Sequence, residues 1–184
     1  MTLATDEILQ HAVFRALLQA MSRPGSVQPL PAAARQEPLL ELLDAVCDPE
    51  VSFCLARADA ALEERIVRRC GARPAPAESA DFLVAPAGTS HGRLEELRRG
   101  TPDYPDRGAT VIYQVASFAP GGVAPLLSGP GIKETVRPSL CGLDPAELAA
   151  LRRSNAEFPL GVDAVLVSAG GEVLCIPRST SIGD

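Results

Sequence analysis

The sequence predicts a three-layer α/β/α domain with a mixed sheet, and three observations predict it. Helical and extended hydrophobic patterns alternate along most of the chain. Of the strand candidates Val51–Leu55, Asp81–Ala85 and Ala109–Val115, the first is almost wholly apolar, as a buried strand requires, and the last is rich in β-branched residues, as a central strand requires. The last two apolar runs, Val162–Val167 and Val173–Ile176, are joined through Gly170-Gly171, the strongest hairpin signal in the chain, which makes the sheet mixed. A length of 184 residues is read as one domain, 1–184, at roughly 150 residues per domain.

Each element has a local reason. Leu9, Val13, Leu17 and Met21 recur every four residues, which predicts an amphipathic helix from Asp6, its expected N-cap, to Met21, stopped by Ser22-Arg23-Pro24-Gly25. Pro38 opens a second helix with Leu39, Leu42, Leu43 and Val46 on one face. Asp59 caps a third, with Leu62, Ile66 and Cys70 inward and Gly71 just past its end. Ser90 is expected to cap a short helix through Arg99, closed by Gly100. Val123–Ser128 is expected as a strand. Asp144-Pro145-x-Glu147 reads as an N-cap followed by Pro at the first helical position and Glu at the third. Arg73–Glu78 and Thr101–Gly108 are Pro-rich and too short to be linkers between domains.

Composition narrows the function classes. Acidic residues outnumber basic ones by 23 to 17, so the net charge of −6 gives no global attraction to nucleic acid or to anionic lipid. No apolar run approaches the roughly 18 residues of a membrane span, and the acidic N-terminal stretch is the wrong order of charges for a secretory signal. The expectation is a cytoplasmic protein. The five cysteines are scattered without a C-x-x-C, and with only two histidines this argues against a zinc site. Sixteen of the 17 basic residues are Arg, so any chemistry that needs a lysine must use Lys133.

The residues offer candidates but no complete catalytic set. There is no P-loop, and Gly129-Pro130-Gly131 fails as a dinucleotide fingerprint because Glu134 stands at the sixth position. His11 and His91 are read as surface or helix-end residues. Gly129 and Gly131 would let the backbone approach an anion, with Lys133 and Arg137 adding positive charge, against the plainer reading of a turn with exposed charges. Arg15 sits on a helix with a sharply fixed end and carries a fork suited to phosphate or carboxylate. Asp163 stands at a strand start, where it pairs locally or takes a catalytic role. Arg178, with Ser179, Thr180 and Ser181, lies at a sheet end, a place where α/β proteins put ligands.

The run Phe14-Arg15-Ala16-Leu17-Leu18-Gln19-Ala20-Met21-Ser22-Arg23-Pro24-Gly25 resembles the opening of the PhnH family of carbon–phosphorus lyase proteins. Gly108-Ala109-Thr110, Gly129-Pro130-Gly131-Ile132, Phe158 to Asp163 and Ile176-Pro177-Arg178-Ser179-Thr180 follow in the family's order, so the resemblance runs from about residue 6 to 181. Each motif is weak alone; five in register are specific. The resemblance implies a non-catalytic or co-catalytic subunit in organic phosphonate catabolism, working with subunits G, I and J. The product it implies is α-D-ribose 1-methylphosphonate 5-triphosphate, formed from ATP and an alkylphosphonate. It further implies a homodimer when alone, a fold like that of the pyridoxal-phosphate transferases without their cofactor, and no cofactor or metal. Arg15, Gly129, Gly131, Lys133, Arg137, Asp163 and Arg178 are then ligand- or partner-facing candidates, with no catalytic residue assigned. The alternative is a stand-alone pyridoxal-phosphate-type transferase using Lys133.

Overall fold

Alternation of buried side chains along the strands sets the layers of the molecule. The structure is a computed structural model and describes residues 3–183. Its helices are α1 (Leu3–Ser22), α2 (Pro38–Val46), α3 (Ala60–Cys70) and α4 (Pro145–Ser154). Its strands are β1 (Gln28–Pro29), β2 (Ser52–Leu55), β3 (Arg73–Pro74), β4 (Phe82–Ala85), β5 (Thr110–Val115), β6 (Leu126–Ser128), β7 (Asp163–Ser168), β8 (Glu172–Ile176) and β9 (Ser181–Gly183). Seven strands form one sheet in the order β1-β8-β7-β5-β4-β2-β3, in which only β8 runs against the rest. The second sheet is the small antiparallel pair of β6 and β9.

Successive strand residues point to opposite faces, so each strand feeds two cores. Phe53, Leu55, Val84, Ile112, Val165 and Val167 pack against α1, α2 and α3. Cys54, Leu83, Val111, Tyr113, Ala164 and Leu166 pack on the other side, beneath α4, β6, β9 and the 3-10 turn Arg93–Glu96. Leu42 of α2 is wholly buried, and each such leucine contributes about 2 kcal/mol by leaving water.

The helix signals act as expected in three places. The Asp59 side chain accepts from the Leu62 N–H at 3.0 Å, and Gly71 ends α3 in the left-handed region. Pro38 is at the first turn of α2. Asp144 accepts from the Ala146 N–H at 2.9 Å at the start of α4.

Other elements differ from the reading of the sequence. Helix α1 begins at Leu3, which puts Asp6 inside its first turn instead of at the cap. The helix expected from Ser90 to Arg99 is only the turn Arg93–Glu96, because Gly92 sits in the left-handed region and the Ser90 hydroxyl is occupied by Glu147. The Val123–Ser128 run forms a strand only from Leu126, outside the main sheet. The Pro-rich Arg73–Pro74 pairs with β2 as an edge strand, where a proline costs no ladder bond on its open side. Among the described residues no helix is long and apolar enough to cross a membrane.

Candidate functional site

Strand direction decides where the candidate residues go. Because β8 is antiparallel to β7, the chain leaves β8 beside the start of β7, and Arg178 meets Asp163. Both lie at the amino end of the parallel strands. The rule that α/β sheets bind ligands at the carboxyl ends of strands therefore does not place a ligand at Arg178.

There the two side chains hold each other. The Arg178 backbone N–H donates to Asp163 Oδ1 at 2.8 Å, Nε donates to Oδ2 at 3.1 Å, and one terminal nitrogen donates to Oδ2 at 2.5 Å. Another terminal nitrogen donates to the Pro105 carbonyl at 2.6 Å. This fork is mostly shielded from water, with side-chain exposures of 14% and 19%. It ties the turn before β5 to β7 and to the end of β8. A Cβ on Gly108 would stand 2.3 Å from an Arg178 nitrogen, and one on Gly161 would stand 2.3 Å from Asn155 Oδ1. Asn155 itself closes the end of α4 onto β7, accepting from the Val162 N–H at 2.7 Å.

The glycine loop joins the same end of the sheet. A Cβ on Gly131 would stand 2.4 Å from the Ser22 carbonyl oxygen, and one on Gly129 would stand 2.9 Å from that of Ser179. The close approach that requires glycine here is to the chain itself. Gly25, in the turn after α1, donates to the Cys175 carbonyl at 3.1 Å. All five segments singled out in the sequence thus converge on the amino end of the sheet. Two shallow depressions open on this end. One, of about 420 Å³, is bordered by Arg23, Ser26, Gly131 and Lys133. The other, of about 380 Å³, is bordered by Arg152, Phe158, Ser179 and Ser181.

The remaining candidates are surface residues. Arg15 is exposed on α1 beside Leu18, and Ile8, Phe14 and Leu18 are apolar residues left exposed on that helix. Arg137 is exposed and donates to the Ala124 carbonyl at 3.1 Å. Lys133 is exposed on the loop after Gly131. A Schiff-base lysine needs a sheltered pocket for an aromatic cofactor, and an exposed loop position gives the pyridoxal alternative no support.

One polar cluster was not foreseen. Glu147 is 4% exposed, although it stands at the third position of α4, where a capping role was expected. Its carboxylate instead accepts from the Ser90 N–H at 2.8 Å, the Ser90 hydroxyl at 2.9 Å, the Thr89 hydroxyl at 3.2 Å and the Tyr113 hydroxyl at 2.5 Å. Burial, reinforced by the adjacent Glu147 charge, pushes the Tyr113 phenol well above its usual range. These donors satisfy the carboxylate and fasten the loop after β4 to α4 and β5. The sequence signals are a tyrosine on the face of β5 that must bury its hydroxyl and the run Gly88-Thr89-Ser90-His91-Gly92. That run has the G-x-S-x-G spacing of a nucleophile turn but buries its serine at 1% exposure and spends the hydroxyl on Glu147. At the carboxyl end of β2, Arg93 donates to the Leu55 carbonyl at 2.6 Å.

The comparisons with known proteins bear on this convergence of motifs. The family model described as bacterial phosphonate metabolism protein (PhnH) matches residues 4–183. The chain belongs to the PhnH family. It is 39% identical over 178 residues to HtxG of Stutzerimonas stutzeri, described as a putative C-P lyase subunit protein, covering 94% of this chain and 85% of that one. It is 32% identical over 179 residues to the alpha-D-ribose 1-methylphosphonate 5-triphosphate synthase subunit PhnH of Rhizobium meliloti, covering 93% and 88%. The PhnH match spans every segment that carries the resemblance, and those segments pack against one another at one end of the sheet.

Proposed function

We propose that this PhnH protein is a non-catalytic or co-catalytic subunit of a carbon–phosphorus lyase core, supporting formation of α-D-ribose 1-methylphosphonate 5-triphosphate. The relative named as a subunit of that synthase supports the substrate and the subunit character. Subunits G, I and J are the proposed partners, a homodimer is the proposed state outside the complex, and the cytoplasm is the proposed compartment. The observation that carries the reading is the convergence of five motif segments on one end of the sheet, where Asp163 and Arg178 are spent on each other. Asp163 and Arg178 form a closed fork, so the motifs build a shaped surface instead of presenting an acid–base pair.

Arg15, Lys133 and Arg137 are exposed cations near this surface and α1, and we assign them to contacts with a partner or with phosphate. The exposed apolar neighbours Phe14 and Leu18, four residues apart and with 42% and 51% exposure, support a protein-facing role for α1. The seven-stranded, mostly parallel sheet with one antiparallel strand supports the likeness to pyridoxal-phosphate transferases, here without cofactor.

The test is co-expression of the tagged chain with subunits G, I and J from the same genome, followed by native mass and an assay for ribosyl phosphonate formation. A stoichiometric complex that loses turnover when this chain is omitted is the expected result. A chain that stays alone beside soluble partners overturns the subunit reading, and turnover by the isolated chain overturns its inactivity alone.

A further inference from the structure

Two of the five cysteines, distant in sequence, are brought together by the packing of α2 on α3. Cys47 is the residue that ends α2, and its N–H donates to the Leu43 carbonyl at 2.8 Å. Cys70 is the last residue of α3, and its thiol lies 3.1 Å from the Ile66 carbonyl. The segments that follow run side by side. The Arg73 N–H donates to the Val51 carbonyl at 3.1 Å, and a Cβ on Gly71 would lie 3.0 Å from the Pro49 ring. This brings the two thiols to adjoining helix ends in one apolar cluster, where each perturbs the ionisation of the other more than any other group does.

The two sulfurs are not equivalent. Cys47 is buried at 7% exposure, whereas Cys70 is half-buried and open on one side to solvent. The hydrogen bond from Cys47 holds the Cys70 thiol below its ordinary range, against the opposing effect of burial. The same contact, with burial added, pushes Cys47 up. A reachable sulfur with thiolate character beside a sheltered thiol is the arrangement of an attacking and a resolving cysteine. Cys54 and Cys175 are buried on the sheet, where desolvation pushes both thiols up and away from reactivity. Cys141 is half-buried, and its thiol lies 3.2 Å from the Ala119 carbonyl.

We propose that Cys47 and Cys70 form a reversible dithiol–disulfide site that reacts with hydroperoxides and, when oxidised, ties the end of α2 to the end of α3. In the first step the Cys70 thiolate attacks the peroxide oxygen. The O–O bond breaks, and the departing hydroxide takes a proton, leaving Cys70 as a sulfenic acid. In the second step the Cys47 sulfur, losing its proton, attacks the Cys70 sulfur. The S–S bond forms, the S–O bond breaks and a second water leaves. Two thiols are oxidised by two electrons in all, and one peroxide is reduced to two waters. A dithiol reductant reverses the step by thiol–disulfide exchange. The site depends on neither the partners nor the substrate assigned above.

The test uses the reduced full-length chain, treated with equimolar hydrogen peroxide under native conditions, then alkylated and analysed by intact mass and peptide mapping. The expected product has lost two hydrogens and two alkylation sites, with a single cross-link between the peptides carrying Cys47 and Cys70, removed by dithiothreitol. Cys47→Ser should leave Cys70 as a sulfenic acid trapped by dimedone, and Cys141→Ser should leave the cross-link unchanged. The mapping on the wild-type chain decides the matter even where a variant fails to fold. A cross-link involving other cysteines overturns the proposal, as does Cys70 oxidising no faster than Cys141 or a Cys47–Cys70 link that appears only in denaturant.

Discussion

Removing Asp163 should destabilise the fold through Arg178, and the structure gives the scale. Asp163 accepts the Arg178 backbone N–H at 2.8 Å and the guanidinium through Nε at 3.1 Å and a terminal nitrogen at 2.5 Å. With side-chain exposures of 14% and 19%, water replaces little of this. In Asp163→Ala the guanidinium keeps only the Pro105 and Gly108 carbonyls, so the cost should be about 3 kcal/mol, the lower end for breaking a mostly buried pair. Arg178→Ala should cost about the same, since it strands the carboxylate and frees the turn before β5. The double variant should cost little more than either single one, because the orphaned charge is gone, which gives a coupling of about 2 kcal/mol. For a chain of this size each single variant should lower the melting midpoint by about 6–12 °C. Urea unfolding of the four proteins, read by circular dichroism, measures the cycle. Single variants within about 0.5 kcal/mol of wild type, or a double variant equal to their sum, would refute the reasoning. The cycle also separates folding from assembly. An effect on complex formation that follows the loss of stability through all three variants would be a folding effect.

Tyr113→Phe removes a charge-assisted hydrogen bond to a buried carboxylate and should cost about 2 kcal/mol by urea unfolding. Glu147→Ala, which strands the Ser90 and Tyr113 donors, should cost more than Tyr113→Phe in the same assay. Gly131→Ala forces a side chain onto a backbone with φ of 82° and against the Ser22 carbonyl. It should cost about 2 kcal/mol and lower the protease resistance of the turn after α1. Asp81 is partly desolvated, which opposes ionisation, yet the Ser52 hydroxyl and N–H and the Arg98 guanidinium together hold its carboxyl below the usual range. A depressed folded-state value means this stability is present above the unfolded carboxylate pKa of about 3.9 and is lost as the pH falls through the folded value. Unfolding of Asp81→Asn from neutral pH down to about pH 2 should therefore show a shallower acid loss than wild type; an identical slope counts against the assignment.

The sequence by itself determined the parts of this fold that short-range chemistry controls. The Asp59 and Asp144 caps, Pro38 at the start of α2, Gly71 at the end of α3 and the hairpin at Gly170-Gly171 each act within a few residues of themselves. It also carried family membership, because five short motifs keep their order along the chain. Tertiary structure decided the rest. Arg178 and Asp163 are neighbours only because β8 reverses beside β7, and no local pattern states which end of a sheet a residue will reach. Glu147 occupies an ordinary third position of a helix, and only the packing of α4 over β5 turns it from a cap into a buried anchor. Gly129 and Gly131 read as freedom for a ligand, until the turns at Ser22 and Ser179 arrive to fill that space. Cys47 and Cys70, 23 positions apart, meet through the packing of two helices whose periodicity fixes their faces but not their neighbours. Caps and turns are local hydrogen bonds and can be read in order; sites are contacts between distant segments, and those are fixed by how the core packs.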